Sequence, residues 1–352
     1  MANYRESRLE KARSRQQNMK RILFLLLIAL LVGAGAGVGM NFLFGKQKTV
    51  SKQPASRKPA TSQPSPIDGQ SEKGQGATSR KKPAAPAFKV SQAMAHTFAL
   101  SEQIGPRPAG SVRETGTADY IVQRLGEYGY NVEEQQFTMQ DGFGSRNIIA
   151  SVRGTREGFV MIVGSHYDSA AEKKGAVDNG SGVGVVLELA RVFYGLKLEP
   201  TIKFVFFGSN APGRGDVEER LNGSRRYVEL LGSMEKRDVV GMISIDQVAQ
   251  GENMALRTRE AGLQRLKAKL ETFATEHEIS TTSLKATNDS DNMPFEDAGI
   301  PAVWVEWCDP GGGLNTDDTY NSVVPGKVEA AGTLIESFLY DLTPDDLEEL
   351  KY

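Results

Sequence analysis

A histidine and three aspartates are the residues whose types and spacing point most directly to chemistry in this chain. His166 and Asp168 stand in Gly164-Ser165-His166-Tyr167-Asp168-Ser169, directly after an apolar run. Asp178 follows in Gly175-Ala176-Val177-Asp178-Asn179-Gly180-Ser181-Gly182, just ahead of a helical pattern. Asp246 closes a second apolar run, Ile243-Ser244-Ile245-Asp246. An imidazole converging with carboxylates is a donor set for zinc or a harder divalent cation. Asp168, two residues past the imidazole, can accept the other ring N–H and fix the tautomer.

Such side chains need strand ends to hold them. In open α/β sheets the carboxyl ends of strands face a crevice where sites gather. Short apolar runs at Asn147 to Val152, Phe159 to Gly164, Ile202 to Phe207, Val239 to Ile245 and Ala302 to Glu306 predict strands. Helical patterns at Val90 to Ile104, Glu114 to Tyr128, Gly182 to Leu196, Ser224 to Leu231, Ala261 to His277 and Val328 to Leu342 alternate with them. That alternation predicts an α/β sheet protein. In the helix from Gly182, a stripe of Val185, Val186, Leu189, Ala190 and Phe193 marks a core-facing side. His96 and His277 fall in helical patterns and read as packing or surface residues.

The chain around these elements is uneven. Of 352 residues, 39% are hydrophobic and 24% charged, which fits a globular domain and excludes a collagen-like or wholly disordered polymer. One cysteine excludes an internal disulfide framework. The net charge of −2 divides into +13 over residues 1–90 and −15 over residues 91–352. An acidic domain lacks the clustered cations that neutralise phosphates, so nucleic acid is not an expected partner. Residues 22–44, Ile22 to Phe44, carry no charge and at helical rise reach about 35 Å, enough to cross a bilayer core. Seven Lys and Arg within residues 1–21 predict a cytoplasmic N-terminus. Cleavage at Ala34-Gly35-Ala36, as in a signal peptide, is the competing reading. Residues 45–88, rich in Lys, Pro, Ser, Gln and Ala, read as a flexible basic tether. Residues 89–342 form the expected domain, and the acidic ending 343–352 is expected to fray.

Over about 240 residues in order, the globular part resembles the co-catalytic zinc exopeptidases of metallopeptidase family 28. The likeness starts at Ile104-Gly105-Pro106-Arg107-Pro108-Ala109-Gly110-Ser111 and passes through the His166 and Asp178 motifs. It continues with Phe204-Val205-Phe206-Phe207-Gly208, Asn222-Gly223-Ser224 and the Asp246 strand. It ends with Ser290-Asp291-Asn292, Ala298-Gly299-Ile300-Pro301 and Asp318-Thr319. The resemblance implies a three-layer zinc-exopeptidase fold, a twisted, mixed, mostly parallel sheet with flanking helices, here preceded by one transmembrane helix. It also implies that His166, the bridging Asp178 and Asp246 match the ligands of one metal, with Asp168 as the orienting carboxylate.

At the other half of the expected dinuclear site the pattern departs. Two adjacent glutamates, a general base and a second-metal ligand, should follow the Phe204 strand, and Ser209-Asn210-Ala211-Pro212 stands there instead. Asn210 takes the base position and Ala211 the ligand position. The last histidine ligand is replaced by Leu314 or, with a gap, Asn315, and Asn292 stands where many members have His. A carboxamide accepts no proton near neutral pH, and losing a general base forfeits on the order of 10² to 10⁴ in rate. Loss of the second metal also removes the clamp on attacking and leaving oxygens. Glu218 and Glu219 would restore both carboxylates under an alternative alignment, and Cys308 is a candidate substitute ligand.

The expected cofactor is therefore one zinc ion or none. Two functions stay open: a membrane-anchored, non-catalytic domain binding a peptide, envelope polymer or envelope protein, and a metal-dependent aminopeptidase working with one metal or substitute carboxylates. Both place the C-terminal domain outside the cytoplasm.

Overall fold

The computed structural model describes residues 87–210, 220–260, 262–286, 290–310 and 317–352. The apolar run 22–44, the stretch 45–86, Ala211, Glu218, Glu219, Leu314 and Asn315 lie outside the described residues. Among the described residues, no helix is long and apolar enough to cross a membrane.

Eight strands among the described residues form one mixed sheet in the order β1-β2-β4-β3-β5-β8-β6-β7. Its centre is β3 (Val160–His166), β4 (Thr201–Phe207), β5 (Val239–Ile245) and β8 (Ala302–Cys308), all mutually parallel. These are the continuous apolar runs of the sequence, and such runs suit strands covered on both faces. Every residue of β5 is buried. Outside them, β2 (Gly144–Val152) joins antiparallel to β4 and β6 (Asn253–Thr258) antiparallel to β8. Strands β1 (Glu133–Thr138) and β7 (Thr282–Lys285) close the two edges.

Side chains alternate between the two faces of the sheet. Met161, Val163, Phe204, Phe206, Ile243 and Val305 belong to the larger core cluster, which also includes residues of α1 (Val90–Phe98), α2 (Val112–Tyr128), α3 (Gly182–Phe193) and α8 (Pro325–Asp341). Ile162, Val205, Phe207 and Met242 fill the smaller one with Tyr227 and Val228 of α4 (Asn222–Leu230) and Phe295 of α7 (Met293–Asp297). Three layers result. Between α4 and α7 lie α5 (Ser233–Asp238) and α6 (Arg265–Glu276).

Two expectations are corrected. Helix α3 buries nearly all of its circumference rather than one stripe, because α1 crosses its outer side. A Cβ at Gly184 would stand 2.4 Å from the Ala93 carbonyl oxygen, so glycine permits that crossing. The acidic ending does not fray. Pro344–Lys351 is a helix, α9, capped by Thr343, whose Oγ1 accepts from the Asp346 N–H, and Leu347 and Leu350 are fully buried.

Candidate metal centre

Strand register sets the site. His166, the last residue of β3, lies opposite Phe207 of β4, and Asp246 directly follows β5 on the other side of β3. The segment Ala176–Ser181, whose backbone leaves helical geometry at Asp178 and Asn179, leads into α3 and carries Asp178, and the Asp178–Asn179 peptide bond is cis. His166 Nε2 is 3.2 Å from Asp178 Oδ1 and 3.4 Å from Asp246 Oδ1. His166 and Asp246 are buried, while the Asp178 side chain is about half exposed. One donor atom from each of the three lies within 4.8 Å of the others.

These spacings fit a divalent metal. Four ligands about 2.0–2.2 Å from a tetrahedral zinc sit roughly 3.3–3.6 Å from one another. Asp246 Oδ1 is buried and has no hydrogen-bond donor among the described residues, while its Oδ2 accepts from Ser290 Oγ at 2.8 Å. Without a cation, a proton does the joining. Burial lowers the His166 pKa, but the charge of Asp246 and the close approach of the Asp168, Asp178 and Asp246 carboxylates raise it well above the ordinary value. A metal would take that proton's place, since an imidazole must be neutral to ligate.

The supports of Asp178 come from distant parts of the chain. Asp318 Oδ1 accepts from the N–H groups of Val177 at 2.7 Å and Asp178 at 3.1 Å, and burial pushes the Asp318 carboxyl up to about 6. Gln247 Nε2 approaches Asp178 Oδ2 at 3.5 Å. Burial raises the Asp178 pKa, but the hydrogen bond and charge of His166, then the charges of Arg107 and Arg220, hold it below the usual carboxylate range. Arg107 is wholly buried and donates to four carbonyls, those of Tyr167 at 2.6 Å, Gly175 at 2.7 Å, Lys174 at 2.8 Å and Leu100 at 3.5 Å. It thereby pins the loop between His166 and Asp178. Gly175 has φ +64°, and a Cβ there would stand 2.8 Å from Arg107 Nη1.

Asp168 contacts His166 Nδ1 at 3.4 Å, a long ion-pair distance, and accepts from the Asn210 N–H at 2.8 Å. It therefore links the ends of β3 and β4. The Asn210 carboxamide donates from Nδ2 to Asp291 Oδ1 at 3.2 Å, and burial pushes the Asp291 carboxyl up to about 6. Asn292 is turned to its own helix, donating to Glu296 Oε1 at 2.6 Å. Glu114 ties the arrangement to α2: it accepts from Gly110 N–H at 2.5 Å, Ser145 Oγ at 2.6 Å and Ser209 N–H at 3.2 Å. Burial and the charge of Asp168 raise it to about 7. Cys308 is buried beside Glu306 and Arg257 and is not among the clustered donors.

The structure thus brings together His166, Asp168, Asp178, Asp246 and Asn210. Arg107, Glu114, Gln247, Ser290 and Asp318 were not foreseen as parts of the site. Arg107 and Asp318 stood inside the quoted motifs, but their partners are backbone groups tens of residues away, which spacing does not reveal.

The family model for peptidase family M28 matches residues 147–338. Aminopeptidase YwaD of Bacillus subtilis (strain 168) is 27% identical over 209 residues, covering 56% of this chain and 44% of that protein. Leupeptin-inactivating enzyme 1 of Streptomyces exfoliatus is 28% identical over 274 residues, covering 73% and 56%. The chain spans about half the length of these curated relatives. Among solved structures, a zinc aminopeptidase from Bacillus subtilis has a TM-score of 0.66 at 19% identity, covering 72% of this chain and 95% of that one. A glutaminyl cyclase from Porphyromonas gingivalis has a TM-score of 0.63 at 26% identity, covering 72% and 99%.

Proposed function

The chain belongs to peptidase family M28, and from that premise we propose that it is a membrane-anchored, aminopeptidase-like domain that holds one zinc ion and binds peptide-like ligands without efficient hydrolysis. His166, Asp178 and Asp246 would hold the ion. Zinc there would offer a Lewis-acidic position to a ligand oxygen. The chain's own residues do the positioning: Asp168 braces His166, Asp318 fixes the Asp178 backbone, and Arg107 locks the intervening loop.

One observation carries the reading. Asn210 lies three residues past the end of β4, its N–H on Asp168 and its carboxamide on Asp291. A carboxamide at this place takes no proton from water near neutral pH. In this reading residues 22–44 anchor the chain with its N-terminus in the cytoplasm. The domain then meets a peptide or an envelope protein on the far side of the membrane.

The alternative is a metal-dependent aminopeptidase that uses one metal or carboxylates from Glu218 and Glu219. The aminopeptidase names of similar proteins favour it. Zinc analysis of the purified chain with an assay on aminoacyl amides separates the two. At most one zinc per chain and no turnover is the expected outcome, and turnover abolished by Asp178→Ala supports the alternative.

A further inference from the structure

A second cavity opens at the amino ends of the central strands, opposite the metal centre. Its volume is about 480 Å³, and its wall includes Val239, the first residue of β5, and Pro301, just ahead of β8. Asp246 follows the other end of β5, roughly 20 Å away along a strand of seven residues. Four cations line the cavity: Lys236, Arg237, Arg265 and Lys351. The acidic groups of the lining are Asp238 and the carboxylate of Tyr352, so positive charge prevails here on a domain whose net charge is −15 over residues 91–352.

Helix ends account for part of this charge. Lys236 and Arg237 lie in the last turn of α5 and Lys351 in that of α9, where free carbonyls favour cations. Arg265 is the exception, because it opens α6, where the helix dipole disfavours a cation. Its Nη2 donates to Lys351 O at 3.1 Å, and its Nε is buried with no hydrogen-bond acceptor among the described residues. Lys351 is fixed in turn: its Nζ donates to Gly158 O at 2.7 Å and lies 3.7 Å from Asp238 Oδ1. Lys236 and Arg237 have no ion-pair partner among the described residues.

We propose that this cavity is a second binding site, separate from the metal centre, which takes a phosphate monoester with its phosphate among Arg265, Lys236, Arg237 and Lys351. Two guanidinium and two ammonium groups belong to three different elements, α5, α6 and α9. A tetrahedral dianion accepts hydrogen bonds from such separate directions, whereas a carboxylate offers two oxygens in one plane. The volume lies within the range of about 300–1,000 Å³ for small-molecule sites, which leaves room for the esterified group beside Ile300 and Pro301. A soluble ester and a lipid headgroup share this chemistry.

Calorimetric titration of the purified full chain with glycerol 3-phosphate, with glycerol as the uncharged control, tests this directly. The chain is expected to bind the phosphate ester and not glycerol. Arg265→Gln is expected to weaken binding at least about tenfold, the range of a lost charge-assisted hydrogen bond. Arg237→Gln, at an exposed residue, is expected to weaken it about threefold. Melting temperature is read on the same samples, and Arg237→Gln decides if Arg265→Gln fails to fold. Phosphate also ligates zinc, so the titration is repeated in Asp246→Asn, where unchanged affinity is expected. Dihexanoyl phosphatidic acid, a soluble lipid with the same headgroup, separates the sources. Tighter Arg265-dependent binding than that of glycerol 3-phosphate assigns a lipid headgroup, and equal or weaker binding assigns a soluble ester. No binding above the glycerol control, binding unchanged in Arg265→Gln and Arg237→Gln, or binding lost in Asp246→Asn overturns the proposal, and none of these outcomes bears on the zinc stoichiometry of the metal centre.

Discussion

Two buried histidines of this chain are held for opposite ends. His166 sits among three carboxylates and keeps a proton in the absence of a cation. His96 sits between two phenols, Nδ1 2.7 Å from Tyr120 Oη and Nε2 2.9 Å from Tyr128 Oη. While the ring is neutral it carries one N–H, so one phenol donates to it and the other accepts. Burial, then the charge of Arg124, lowers its pKa from 6.5 to about 4. Between those values the unfolded chain binds more protons, so stability is present above 6.5 and is lost as the pH falls toward 4. The expected loss is about 3 kcal/mol at most. Urea unfolding across this range checks it: His96→Gln should flatten the slope, and an unchanged slope would contradict the assignment. For His166 the expected outcome concerns metal. Asp246→Asn should weaken zinc affinity at least about 100-fold without loss of the circular dichroism of the fold, because Oδ1, which has no hydrogen-bond donor among the described residues, loses its charge. Unchanged affinity would remove Asp246 from the ligand set.

Elements were legible to the degree that burial simplified their sequence. Strands β3, β4, β5 and β8 read directly as apolar runs, and the positions of His166 and Asp246 at their ends followed. Edge strands β1 and β7 escaped notice because Glu133–Thr138 and Thr282–Lys285 are largely exposed and polar, with no run to mark them. The ending was misread for a related reason. Acidic residues surround Leu347 and Leu350, whose spacing of three puts both on one helical face, and only the packed structure shows what that face meets. Leu347→Ala is expected to cost about 2–4 kcal/mol in denaturant unfolding, as for a fully buried leucine. A change under about 0.5 kcal/mol would mean that α9 contributes little to the fold. The site was half legible on the same terms. Its ligating side chains belong to strand ends or the turn before α3, but Arg107 acts through contacts that only the folded chain creates.

At the scale of the whole molecule, the sequence divides into a basic first quarter and an acidic remainder. The proposed anchor predicts that the full chain stays with membranes through carbonate extraction and that a chain lacking residues 1–44 does not. Recovery of the full chain in the soluble fraction would remove the anchor from the account. The proposed anchor, the proposed cradle for one metal and the carboxamide of Asn210 at the proposed base position together suit retention of a ligand better than its turnover. The most direct test is the zinc stoichiometry of the purified full chain, measured together with its hydrolysis of aminoacyl amides under zinc supplementation. The expected result is no more than one zinc ion per chain, lost in Asp246→Asn, and no hydrolysis. Two zinc ions per chain with hydrolysis that disappears in Asp178→Ala would contradict it.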